Sequence, residues 1–155
     1  MQGSQETRSA PLSLALVWGP RITTAVSTSS ERVRTVRTGN VTSGRRGQLS
    51  ADLGFRFRVP PAIAPLPNDV RTSLRYLSSQ SSSCILRAGE ATCIPFADSR
   101  RSEITLLFDT DFPPNASAGL SASQVLTEDV HANRKFSQFV VTATVRITFQ
   151  AGEMR

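Results

Sequence analysis

Hydrophobic and polar positions alternate most regularly near the end of the chain. Phe139, Val141, Ala143, Val145, Ile147 and Phe149 take every second place, with Val140, Thr142, Thr144, Arg146 and Thr148 between them. A period of two is the mark of a strand with one face withdrawn from water, and no helix fits it. Leu53, Phe55, Phe57 and Val59 repeat the pattern against Arg56 and Arg58, as do Ile104, Leu106 and Phe108 further on. Leu12–Val17 and Ile22–Ser27 read as two short strands divided by a Gly19-Pro20 turn. Glu31–Thr38 alternates Arg32 and Arg34 with Val33 and Val36, which makes one of its sides basic.

Between these segments the apolar signal fades. Residues 1–11 are polar and read as a mobile arm, leaving 12–155 as one domain. Gly39–Gly47, with Arg45-Arg46, reads as a cationic loop. Pro60-Pro61, Pro65 and Pro67 predict an extended connection. Asn68 or Asp69 is placed to cap a short helix carrying Val70, Leu74 and Leu77, and a strand through Thr72, Leu74 and Tyr76 fits nearly as well. Ser78–Ser83 reads as a linker. Asp109-Thr-Asp111 and Pro113-Pro114 end the Ile104 strand, and Ser121 with Gln124 has capping-box spacing, predicting a surface helix over Ala122–His131. About eight short strands with one or two helices predict an all-β antiparallel sandwich.

Charge adds a second layer. Residues 1–58 hold nine Arg against Glu6, Glu31 and Asp52, and residues 59–155 balance, so the excess of +6 lies in the first third. Two readings stand side by side: arginine-favouring codon usage on a solvated face, or a polyanion-binding surface. Under the second reading Arg32, Arg34, Arg37, Arg45, Arg46, Arg56 and Arg58 are the candidate nucleic-acid contacts, because the guanidinium fork suits phosphate.

The candidate chemistry is sparse. His131 is the single histidine, which leaves no material for a histidine-pair metal site and little for nucleophilic catalysis, so no enzyme activity, catalytic residue or small-molecule substrate is expected. Asp109 and Asp111 emerge on one side of a strand end and are the candidate ligands for a calcium ion, the one cofactor considered. Asn115-Ala-Ser117 matches a glycosylation sequon and is set aside. Cys84 and Cys93 flank a two-residue turn at Ala88-Gly89 that would pair Arg87 with Glu90 and bring the two sulfurs within reach. A bridge there contributes roughly 2–3 kcal/mol in the chain-entropy model; free thiols are the alternative in a reducing cytosol.

Three segments, Ile104–Pro114, Phe55–Pro61 and Phe139–Phe149, resemble the single jelly-roll coat proteins of small icosahedral RNA viruses, of the sobemovirus and tombusvirus shell-domain type and their satellites. The resemblance covers about a fifth of the chain. It implies an eight-stranded jelly roll, self-assembly into a homo-oligomeric shell, packaged RNA against the arginine face, calcium on Asp109 and Asp111 at a subunit interface, and a place in the virion, assembled in host cytoplasm without a membrane. Two alternatives stay open: a secreted or surface adhesion-type sandwich closed by Cys84–Cys93, and a phage tail or decoration protein.

Overall fold

The computed structural model describes residues 4–37, 39–60, 62, 69–112 and 116–147. Seven antiparallel strands follow one another across a single sheet: β1 (Ser4–Val17), β2 (Ile22–Arg37), β3 (Asn40–Phe57), β4 (Val70–Leu86), β5 (Ile94–Phe112), β6 (Ala116–Asp129) and β7 (Arg134–Ile147). The spatial order equals the chain order, so this is a meander. A jelly roll needs two facing sheets and crossed connections that put non-consecutive strands side by side. The sandwich expectation is therefore corrected, and with it the coat-protein resemblance that rested on it.

The strands are also far longer than the apolar segments that announce them. Gly39–Gly47 is no loop but opens β3, and Ser78–Ser83 is no linker but continues β4. Ala122–Asp129 lies in β6, not in a helix, and the Val70 segment takes its strand alternative. Residues 4–11 form the first half of β1. In each case the polar stretch extends a ladder begun by an apolar neighbour, and the hydrogen bonds of that ladder hold it without any apolar alternation of its own. Thr148, Phe149, Pro61, Pro65, Pro67, Asn68, Pro113, Pro114 and Asn115, on which several expectations fell, lie outside the described residues.

Turn chemistry agrees with the hairpins. Trp18 N–H donates to the Ile22 carbonyl (3.0 Å) across the Gly19-Pro20 turn, and Glu90 N–H donates to the Arg87 carbonyl (3.1 Å) across Ala88-Gly89, where Gly89 takes the positive φ of 88° that the turn requires. Asn133, at φ 49°, closes the β6–β7 turn, in which Ala132 N–H donates to Asp129 Oδ1.

The sheet has no core of its own. Among the described residues only Val70 and Thr72 are buried, at 7% and 4% exposure. The accessible surface is 12150 Å², against about 7,600 Å² for a folded monomer of this mass. β1 and β7 each leave one edge unpaired within the sheet.

Candidate functional site

Ladder partners share a face, so the register sorts the side chains onto two surfaces. One surface carries the even residues of β1, β2, β4 and β6, those of β5 from Asp98 onward, and the odd residues of β3 and β7. Read across the strands, Leu14, Val26, Ala51, Tyr76, Ile104, Gln124 and Phe139 form one row. Leu16, Thr24, Leu53, Leu74, Leu106, Ala122 and Val141 form the next. Ile22, Phe55, Thr72, Phe108, Leu120 and Ala143 follow. The result is an apolar band about nine residues deep on β7, from Phe139 to Ile147. Its members are open: Leu12 is 71% exposed, Phe139 69% and Val145 73%. Trp18 sits at the lower border, its indole N–H donating to Thr24 Oγ1 (2.8 Å).

The opposite surface, concave in that most of the clefts open on it, is mainly polar, with Leu77, Leu107, Val125, Phe136 and Val140 among its charged and hydroxyl side chains. On β2 its residues Ala25, Ser27, Glu31, Val33 and Thr35 are half-buried, while Val26, Thr28, Ser30, Arg32 and Arg34 on the apolar side are exposed. Clefts of roughly 350 Å³ open on it, one lined by Arg71, Asp109, Asp111 and Arg146 together with Leu107 and Leu120. A water-soluble sheet shelters its apolar face behind a second layer. Here the polar side is the more covered on β2 and β6 and the apolar side on β5, and the two buried residues, Val70 and Thr72, also lie on the apolar side.

That concave face holds a charge ladder. Arg71 Nη2 reaches Asp109 Oδ2 at 2.8 Å and Asp111 Oδ2 at 2.9 Å, and Arg75 Nε donates to Asp52 Oδ1 at 2.6 Å. Ser27 and Ser50 share a hydroxyl hydrogen bond (2.7 Å), and Arg101 meets Glu103 at 2.8 Å. The pair considered for calcium, Asp109 and Asp111, thus holds a guanidinium. Among the described residues no group of three or more His, Cys, Asp or Glu gathers for a metal. Arg71 and Arg75 escaped the sequence reading. Their signal is the alternation Val70, Thr72, Leu74, Tyr76 against Arg71, Ser73, Arg75, which marks a two-faced strand.

The seven candidate nucleic-acid arginines do not share a surface. Arg32, Arg34 and Arg45 lie on the convex side; Arg37, Arg46 and Arg56 lie on the concave side; Arg58 follows β3 and pairs with Asp69 (3.3 Å). Cys84 and Cys93 form a disulfide with Cα atoms 5.6 Å apart, at the end of the sheet remote from the band. Beside it the β4–β5 register shifts between Ser83 and Cys84, and Ala88 N–H donates to Asn40 Oδ1 (3.2 Å), tying that turn to its neighbour.

With no second sheet to cover the band, the expectations built on a sandwich fall together: an RNA-packaging capsid subunit of the virion, an adhesion-type domain, a phage component, and a chain without membrane contact. No described helix is long and apolar enough to cross a membrane, which has no bearing on crossing by strands. No family model matches the chain, and no curated protein matches it significantly. Among solved structures, the ferric citrate transporter FecA in its unliganded form aligns over 96% of this chain and 26% of its own, at 9% identity and a TM-score of 0.44. The chain spans about a quarter of the FecA chain, and a likeness of that size leaves fold and role to rest on the sheet itself.

Proposed function

We propose that this chain forms part of the wall of a transmembrane β-barrel, with the convex band against lipid and the concave face lining an aqueous interior. The observation that carries the reading is an apolar face without a covering layer: large apolar side chains from all seven strands lie on one side of a single sheet, most of them exposed, while charged and hydroxyl side chains predominate on the other. Strands that span a bilayer need about nine to eleven residues at their usual tilt, which suits the Phe139–Ile147 stretch of β7. An aromatic and aliphatic outer band over a polar lumen is the arrangement such barrels use. Open sheet edges are not tolerated in hydrocarbon, so the edges of β1 and β7 are closed by further strands in the working assembly. The role is structural, and no reaction is assigned to it.

Trp18, the single tryptophan, gives the test. Reconstituted into vesicles, its fluorescence is expected to be quenched by lipids brominated near the headgroup more than by lipids brominated near the chain ends, as for an interfacial ring. Emission indifferent to brominated lipid, with protein left in the aqueous fraction, would remove the reading.

A further inference from the structure

Beyond the apolar band the convex face turns basic, and the register gathers its cations. Arg8, Arg32 and Arg45 are direct ladder partners on β1, β2 and β3, and Arg34 stands two residues beyond Arg32 on the same face, directly opposite Glu6 on β1. Arg8 is held by Glu6 at 2.6 Å. Arg32, Arg34 and Arg45 make no ion pair among the described residues, and all three are exposed. Like charges directly opposite in a ladder repel and destabilise it. An anion between them reverses the sign of that interaction.

We propose that Arg32, Arg34 and Arg45 bind the phosphate of an anionic lipid headgroup at the border of the band, an inference that rests on the membrane reading above. Continuity with the band selects a lipid over a soluble anion. Arg45 lies four residues from Leu49, the outer limit of the band on β3. That is about 13 Å along the strand and roughly 10 Å in height at barrel tilt, within reach of the headgroup layer for a side chain that snorkels. Between the leucine and arginine rows stand the small residues Ser30 and Gly47; a Cβ built at Gly47 meets nothing within 4 Å. This leaves a shallow seat at headgroup height with apolar side chains below it and three forks of donors above it. Arginine suits the site because its paired N–H groups engage phosphate oxygens bidentately.

The test uses the detergent-solubilised full chain, titrated with phosphatidylglycerol or phosphatidylcholine, with bound lipids counted by native mass spectrometry. Phosphatidylglycerol is expected to bind at lower concentration than phosphatidylcholine. That preference is expected to fall about fivefold for each of Arg32→Ser, Arg34→Ser and Arg45→Ser, and to survive Arg46→Ser and Arg56→Ser on the concave face. Equal retention of both lipids by a micelle-bound chain, unchanged in the triple variant, overturns the headgroup site and leaves the membrane reading standing. Displacement of phosphatidylglycerol by inorganic phosphate, at ionic strength matched with chloride, assigns the arginines to a soluble anion and also overturns it. A chain that binds neither detergent nor lipid removes both.

Discussion

Cut across its strands, the sheet divides into two halves built on different physics. In the half that ends at Trp18, Phe57, Phe112 and Ile147, the convex face is almost wholly apolar and the concave face is held by Arg71 with Asp109 and Asp111 and by Arg75 with Asp52. In the half that ends at Arg37, Leu86 and Asp129, both faces are mostly polar, with the apolar rows Val36, Val41, Leu86 and Ile85, Ile94 at its far end, where a disulfide and side-chain-capped turns add to them. On the proposed reading the first half relies on an apolar environment outside the sheet, whereas the second persists in water through its ladder hydrogen bonds and one covalent link. The same strands run through both, so the difference lies in side chains and not in backbone.

The largest expected effect separates the two faces of the apolar half. Ala122 and Ser123 are neighbours on β6 that lie on the apolar and the polar face respectively, which the proposed barrel would turn to lipid and to the interior. In bilayers, Ala122→Arg is expected to lower stability by about 2–4 kcal/mol and Ser123→Arg by far less. Equal losses in denaturant titrations of vesicle-borne protein would erase the distinction between the faces. Next is the covalent link of the polar half. Cys84→Ser with Cys93→Ser is expected to cost about 2–3 kcal/mol and to raise hydrogen exchange around residues 82–98 while leaving the band protected. Exchange that rises evenly over both halves would show that they do not stand apart.

A smaller effect is expected on the concave face. Arg71 and its two carboxylates are each more than a third exposed, so Arg71→Leu is expected to lose about 1 kcal/mol or less, with the loss diminishing at high salt. The smallest is a gain. Thr72 packs on the convex face between its ladder partners Phe55 and Phe108, and its hydroxyl has no hydrogen-bond partner among the described residues. Thr72→Val is expected to be neutral or to stabilise by roughly 1 kcal/mol, read as a shift in the thermal midpoint.

Strand character was legible wherever apolar residues alternated. Leu53, Phe55 and Phe57, Ile104, Leu106 and Phe108, and Phe139 to Ile147 all lie in strands with those side chains on one face. What the alternation does not carry is the identity of the apolar partner. A period of two says that a face leaves water and is silent on whether protein or lipid receives it, and supplying a second protein layer led to the sandwich. The polar halves of β3 and β4 were hidden for another reason. Gly44, Arg45, Arg46 and Gly47, or Ser78 to Ser83, have no alternation to display, because both of their faces meet water or one another. In β6 the alternation of Ala118, Leu120, Ala122 and Leu126 with Gly119, Ser121, Ser123 and Val125 is muted by small residues, and Ser121 with Gln124 imitates a helix start.

The count of strands has its own consequence. With seven antiparallel neighbours in file, β1 and β7 travel in the same direction, so stitching one edge straight to the other gives a parallel seam. Pairing copies through a dyad normal to the sheet, β7 against β7, restores antiparallel order but turns one copy upside down and sets its apolar half beside the polar half of its mate. Any cylinder that keeps all neighbours antiparallel and the greasy girdle level therefore takes an odd number of strands between β7 and β1.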